Sequence, residues 1–212
     1  HTTHHFDVRK FNLGFTMGGN YGRYKMTAFN DLYDGDARTY LRKVVVVGKP
    51  GINLGLITNM KLHNNIDVRF LPSEALEQRD FEFHLDSRID GSDSLNMKKI
   101  ESSFLNLPLV VKLKSNYYDV YRVYFQTGLQ FSINMASTKK VKNDPDLLKT
   151  TTTDFSWVSS TGIDLYGERL KMNLEIRYAL GLRNLYVPKN TKFANAIADL
   201  YSQSLMFLIN FE

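Results

Sequence analysis

The sequence predicts an all-β protein: a transmembrane eight-stranded antiparallel up-and-down β-barrel with four long extracellular loops and short periplasmic turns. Three observations lead to this prediction. Eight segments alternate between apolar and polar residues, short and long connections alternate between them, and the polar faces carry charges of both signs. Successive side chains leave a strand on opposite faces, so sustained alternation indicates a strand.

The segment YRVYFQTGLQFSIN, residues 121–134, shows the alternation most clearly, because its odd-numbered residues are mostly apolar and its even-numbered residues mostly polar. The other segments are KFNLGFTMGGNYGRY, GINLGLITNMKL, IDVRF resuming in RDFEFHL after Pro72, SFLNLPLVVKLK, DFSWVSSTGIDLY, LKMNLEIRYALGL and LYSQSLMFLINF. Each alternating core is about as long as the 9–11 residues that cross a bilayer as a tilted strand.

The connections between these segments alternate strictly in length. The short ones are HNN, SNYYD and GER, whereas the regions 25–50, 86–102, 136–153 and 183–199 each span 17 to 26 residues. Outer-membrane barrels have this rhythm, with short turns in the periplasm and long loops outside. We therefore expect both ends of this chain on the periplasmic side, with residues 1–10 a periplasmic segment and 11–212 a single barrel domain.

Charged residues on the polar faces predict a filled lumen. Pairing across the short turns brings Lys61 beside Asp67 and Asp164 beside Lys171. The same face carries further charged residues: Arg69, Lys112, Arg122, Glu175, Arg177 and Arg183. Across its turn, Arg122 is expected opposite Lys112, a like-charge pair that needs a neutralising carboxylate. Eight strands leave a lumen just wide enough for side chains to fill.

A soluble β-fold is the alternative, with the polar face in water and the apolar face inside. Most of the segments offer five or more large apolar residues, which would overfill the interior of eight strands. Lipid sets no such packing limit, so the membrane barrel is the better prediction.

Aromatic residues are expected in two interfacial rings. The periplasmic ring contains Phe11, Tyr117, Tyr118, Tyr121, Tyr166 and Phe211, and the extracellular ring contains Tyr21, Tyr24, Phe131, Phe155, Trp157, Tyr186 and Tyr201. The final alternating stretch LMFLINFE resembles the terminal signal by which barrels are recognised for outer-membrane insertion.

Composition excludes several kinds of function. The chain has no cysteine, which rules out disulfides and thiolate sites. Its net charge of +5 is dispersed, so nucleic acid is not an expected partner. No cofactor or metal site is predicted. The only enzymatic candidate is His84 with Glu82, Asp86 and Ser87, and a lone rim histidine is usually structural.

Two other stretches have open interpretations. Val44–Val47 lie in a supposed external loop, where they either extend the second strand above the membrane or form an edge for a partner. Phe193, Ala194, Ile197 and Ala198 have helical spacing, which predicts a short helix over the last long loop. The acidic run DSRIDGSDS lacks the spacing of a calcium loop.

Several segments together resemble the PorT family of Bacteroidota outer-membrane barrels. KKIESSFLNLPLVVKLKS followed by a short turn and YRVYFQTGLQFSIN resembles the middle hairpin of that family. GINLGLITNMKLHNNIDVRFLP, IDLYGERLKMNLEIRYALGLRNL and NAIADLYSQSLMFLINFE are similar to its other hairpins and terminal strand.

The resemblance implies a non-enzymatic component of the type IX secretion system, which exports cargo across the outer membrane and supports motility in gliding species. Its expected partners are outer-membrane lipid and other type IX secretion proteins, such as the large translocon barrel. A surface adhesion barrel similar to OmpX and a barrel enzyme that modifies lipid A are the alternatives.

Overall fold

The computed structural model describes residues 9–28, 39–87, 93–118, 120–135, 151–167, 170–185 and 197–212, with the side chains of 26–28, 39–47, 78–102 and 197–199 left outside the description. Ten strand segments form one antiparallel sheet. They are β1 (Phe11–Ala28), β2 (Thr39–Gly48), β3 (Pro50–His63), β4 (Ile66–Phe70), β5 (Ser73–Ser87), β6 (Asp93–Lys114), β7 (Tyr121–Asn134), β8 (Thr153–Tyr166), β9 (Lys171–Gly181) and β10 (Ile197–Phe211). No helix in the described ranges is long and apolar enough to cross a membrane.

The sheet closes on itself. β1 pairs with β10 on one side and with β3 on the other, so the two ends of the sheet meet. β2 runs directly into β3 across Lys49, and β4 runs into β5 across Leu71 and Pro72, so ten segments make eight barrel strands. The predicted closed eight-stranded antiparallel barrel is confirmed.

Two prolines lie at one irregularity in the ladder. Pro72 separates β4 from β5, as its position in the sequence predicts. Pro108 of β6 lies opposite the same break, where its carbonyl oxygen accepts a hydrogen bond from the Leu71 N–H. Proline donates no ladder hydrogen bond, so both prolines lie where the ladder is already interrupted.

The outer surface is apolar and the interior is polar. Leu13 of β1 is 76% exposed, whereas Asp67, Arg69 and Lys112 are fully buried. In β7 the odd-numbered residues from Tyr121 to Phe131 point outward, and the even-numbered residues are largely buried. A soluble protein reverses this arrangement, so the membrane interpretation holds.

The strands at the long-loop end extend further than the sequence predicts. β5 and β6 are separated only by residues 88–92, and β1 and β2 only by 29–38. Val44–Val47 belong to β2, which pairs with β5 from Thr39 to Gly48. This agrees with an extension of the second strand. Ile197 and Ala198 are the first residues of β10, so a helix over these two is wrong.

Candidate functional site: the charged barrel interior

Glu175 of β9 is the centre of the buried network. Its Oε1 accepts hydrogen bonds from Arg177 Nε and Gln126 Nε2, both at 2.8 Å. Its Oε2 accepts hydrogen bonds from Asn210 Nδ2 at 2.9 Å and the Tyr124 hydroxyl at 3.1 Å. Four donors from β7, β9 and β10 thus saturate one carboxylate, which fixes its position in the barrel.

Asp164 of β8 is the second anionic centre. Lys112 Nζ lies 2.7 and 2.8 Å from its two oxygens, and Asn173 Nδ2 donates to Oδ1 at 2.5 Å. Lys171 Nζ is 3.7 Å from Oδ2. The predicted direct pairing of Asp164 with Lys171 is wrong, because the register pairs Asp164 with Asn173 and Lys171 with Tyr166. The two charges approach diagonally, since a register slip of two residues keeps both on the inner face.

Glu212 closes the network from the end of β10. Its Oε1 forms an ion pair with Arg69 Nη2, and its Oε2 lies 2.9 Å from Lys171 Nζ. Arg69 Nη1 is also 3.9 Å from Glu175 Oε2, so Arg69 joins the two carboxylates. Sequence reasoning missed Glu212, although the alternation of β10 continues through Asn210 to Glu212 and would have placed it inward.

The predicted position of Lys61 opposite Asp67 of β4 is confirmed, although the ion pair of Asp67 is with another lysine. Lys61 lies opposite Asp67 in the register, but its side chain is partly exposed. The ion pair of Asp67 is with Lys114 Nζ at 2.8 Å, and Asn59 Nδ2 donates to the same oxygen at 3.3 Å. Lys114 was missed, although it has the same parity as Lys112 on β6.

Arg122 caps the short turns instead of opposing Lys112. Its Nε donates to the Ser115 carbonyl at 2.8 Å and its Nη2 to the Asn64 carbonyl at 3.0 Å. The register pairs Lys112 with Gln126, so the expected like-charge pair does not form. The longer turn after Lys114 shifts the register by four residues. The neutralising carboxylate beside Lys112 is Asp164.

Tyr124 packs against this network and depends on a glycine. Lys112 Nζ lies 3.7 Å from the centre of the Tyr124 ring, a cation–π contact. A Cβ added at Gly162 would lie 2.6 Å from the Tyr124 hydroxyl. Gly162 therefore provides the space that lets Tyr124 reach Glu175.

Toward the long-loop end, beyond the ion pairs, the lining of the interior becomes apolar and then polar. Ile57, Leu71 and Val110 form a buried apolar cluster. Beyond it lies a cavity of about 30 Å³, lined mainly by polar side chains: Glu77, Asn106, Gln130, Ser132, Asp154, Ser156, Ser202 and Ser204. That volume accommodates about one water molecule.

The predicted aromatic residues mostly point outward. Those more than a third exposed are Phe11, Tyr21, Tyr117, Tyr118, Tyr121, Phe131, Phe155 and Trp157, and Tyr24, Tyr201 and Phe211 are partly exposed. Tyr166 is the exception: it is buried, 5.3 Å from the Tyr117 ring centre, because it shares the inward parity of Asp164. Tyr186 lies outside the described residues.

One other charged residue predicted in the interior does not lie there. Arg183, which was expected there, is exposed, and its Nη1 donates to Thr153 Oγ1 at 3.1 Å. His84, Glu82, Asp86 and Ser87 lie in β5, but their side chains are outside the described part of the structure. Among the described residues, no cluster of His, Asp and Glu is arranged to hold a metal ion.

The comparisons with known proteins agree with a barrel of the outer membrane. A family described as the outer membrane protein beta-barrel domain matches residues 3–187. The chain belongs to this family. Its location is therefore the outer membrane. No curated protein matches the chain.

Three solved structures illustrate the likeness in fold. OprG from Pseudomonas aeruginosa is 12% identical with a TM-score of 0.49, and the match covers 93% of this chain and 94% of that one. Neisserial surface protein A is 8% identical with a TM-score of 0.45, covering 95% and 98%. Ail of Yersinia pestis, in complex with the heparin analogue sucrose octasulfate, is 13% identical with a TM-score of 0.39, covering 96% and 99%.

Proposed function

We propose that this barrel is a non-enzymatic, non-conducting accessory component of the type IX secretion system, with an assembly role beside a larger translocon. The resemblance of its hairpins to the PorT family is what suggests this system. Membership of the outer-membrane barrel family is compatible with it.

The filled lumen is the observation that carries the non-conducting role. Arg69, Lys112, Asp164 and Arg177 are each no more than 1% exposed, and they meet across the inside of the barrel. An eight-stranded barrel has room only for such side chains. Cargo therefore has no path through this chain, and its contribution to export must come from its rims or outer wall.

The long-loop end offers a surface for such contacts. Thr39–Gly48 of β2 pairs with Arg79–Ser87, the outer part of β5. The outer part of β5 pairs in turn with Asp93–Ile100, the outer part of β6. This three-stranded extension continues the barrel wall beyond the length that a bilayer requires. It favours contact with another protein at the outer rim, and this includes the second candidate function, adhesion to a surface.

Deletion of the gene separates these functions. For a secretion component, we expect cargo proteins to accumulate in the periplasm and to return to the medium when the wild-type gene is supplied. Loss of adhesion with normal secretion would support the adhesion barrel instead. A changed lipid A mass with normal secretion would indicate a lipid-modifying enzyme.

A conductance measurement tests the non-conducting role separately. The purified protein in a planar lipid bilayer is expected to give no steady current. A stable open conductance would contradict the filled lumen, whatever the deletion strain shows.

A further inference from the structure

The outward face of β1 changes from apolar to cationic at a defined height. Phe11, Leu13, Phe15 and Met17 are exposed on this face, and Tyr21 follows them. Ten residues of strand tilted at about 45° rise about 24 Å, close to the apolar band of about 25 Å in outer-membrane barrels. The stretch from Phe11 to Tyr21 therefore spans the hydrocarbon.

Two exposed cations follow directly on the same face, Arg23 and Lys25. Arg23 pairs in register with Gln203 of β10, and its Nε donates to Gln203 Oε1 at 2.9 Å. This bond fixes the guanidinium against the barrel wall and occupies only Nε. Within the described residues, neither Arg23 nor Lys25 forms an ion pair with a carboxylate.

A third exposed cation lies in the same sector. Arg183 follows β9, the strand beyond β10, so its backbone is about 10 Å from β1. The Leu185 N–H donates to the Leu200 carbonyl, one residue from Tyr201, which is the register partner of Lys25. Arg183 is therefore close to Lys25 in the strand register, at the outer end of the barrel, and its Nη1 donates to Thr153 Oγ1 of β8 on the side away from β1.

We propose that Arg23, Lys25 and Arg183 bind the phosphate groups of an outer-leaflet glycolipid of the lipid A type. Directly beyond the hydrocarbon, the outward face of a barrel meets lipid headgroups. Guanidinium groups form strong, bidentate hydrogen bonds with phosphate, and ammonium groups bind it as point charges. Two arginines and a lysine without anionic partners in the described structure match a phosphorylated headgroup better than a neutral one.

The test measures binding of lipid A to the full chain in detergent by native mass spectrometry. Diphosphoryl lipid A is compared with the same lipid after removal of its phosphates. The wild-type protein is expected to bind the phosphorylated lipid at least about tenfold more tightly, since hydrogen bonds to charged groups are worth more than 1.4 kcal/mol, the equivalent of tenfold. Equal binding of the two lipids would overturn the proposal.

Two double variants carry the same change in charge at opposite ends of the barrel. Arg23→Gln with Lys25→Gln should abolish the preference for phosphate. Arg9→Gln with Lys10→Gln removes two exposed cations at the periplasmic end of β1 and should keep it. Equal losses in both variants would show a general charge effect and refute the site. Heat-modifiable migration on a gel checks that both variants are folded.

Two further measurements complete the test. One distinguishes lipid phosphate from free phosphate, and the other replaces the outer double variant if that variant does not fold. Inorganic phosphate at millimolar concentration should leave the lipid bound, and displacement would indicate a site for free anions and overturn the proposal. If the outer double variant does not fold, Arg183→Gln removes one exposed guanidinium and its hydrogen bond to Thr153. It should weaken binding about threefold, and unchanged binding would refute its role.

Discussion

The two halves of the barrel interior are filled by different chemistry. In the periplasmic half, Glu175, Asp164 and Glu212 are each surrounded by cations and amides from several strands. In the outer half, hydroxyls and amides predominate: Ser132 Oγ donates to Asn106 Oδ1 at 2.7 Å, and Gln130 Nε2 donates to Ser132 Oγ at 3.0 Å.

In the outer half, the described hydrogen bonds of the carboxylate Asp154 come from neutral donors. Asp154 accepts hydrogen bonds from Ser202, from Ser156 and from the Phe155 N–H. The described side chains that line the adjoining cavity include no lysine or arginine. The Ile57–Leu71–Val110 cluster lies between the two halves.

This difference places the main block to passage through the lumen in the periplasmic half. A buried charge is tolerated only when it is fully paired, and removal of one partner then costs far more than the pair contributes. The periplasmic half is therefore a set of mutually dependent charges. The outer half has hydroxyls and amides, together with Glu77 and Asp154, beside a water-sized space, so the loss of a neutral group there can be compensated by solvent.

The largest effect is expected for Glu175→Gln. The neutral side chain leaves Arg177 without its 2.8 Å carboxylate partner and removes one of two carboxylates near Arg69. We expect a loss of about 3–5 kcal/mol in the free energy of unfolding. Urea titration in detergent, followed by the fluorescence of the single tryptophan, Trp157, measures it.

Glu74→Gln is the matched control for that substitution. Glu74 is exposed on β5 and accepts a hydrogen bond from Ser103 at 2.8 Å. The same chemical change there should cost about 1 kcal/mol or less. Similar losses for the two variants would mean that the interior charges do not depend on one another.

A smaller effect is expected for Glu212→Gln, roughly 2–3 kcal/mol. Arg69 and Lys171 lose their shared carboxylate but keep contacts with Glu175 at 3.9 Å and Asp164 at 3.7 Å. The same urea titration measures it. A loss greater than that of Glu175→Gln would make Glu212 the centre of the network.

Gly162→Ala should cost about 1–2 kcal/mol through overpacking. The added methyl group would meet the Leu174 carbonyl oxygen, its nearest neighbour, and the Tyr124 hydroxyl, so the contact of Tyr124 with Glu175 would be disturbed. Gly19→Ala is the control, because a Cβ there has only the Gly51 carbonyl within 4 Å, at 3.8 Å. If the two variants have the same stability, the position of Tyr124 is not set by the space at Gly162.

Alternation allowed the inner and outer faces to be predicted, but of the three predicted pairs across the short turns only Lys61 with Asp67 has the observed register. Asp164 and Lys171 were placed on the correct face with the wrong register, since a slip of two residues preserves the face and changes every neighbour. The turn after Lys114 had the same effect on Arg122. Turn geometry, which sets the register, is not visible in the alternation.

Other errors came from ending the alternation too early. Tyr166 was assigned to the outward-facing periplasmic ring for its aromatic character, although Asp164 two residues before it is inward. Glu212 and Lys114 were missed at strand ends for the same reason. The sequence did not predict the full extension of β2, β5 and β6. A strand beyond the membrane can have polar residues on both faces, and such a stretch resembles a loop in sequence.

The smallest effect is expected in the outer half, for Ser132→Ala. The variant removes the hydrogen bond to Asn106 and the one from Gln130, two groups that also line the outer cavity. A water molecule in that space can satisfy both amides, so the free energy of unfolding should fall by about 0.5–1 kcal/mol. Urea titration measures this against Glu175→Gln. A loss as large as that of Glu175→Gln would mean that the groups of the outer half depend on one another as strongly as those of the inner half, and the contrast between them would not hold.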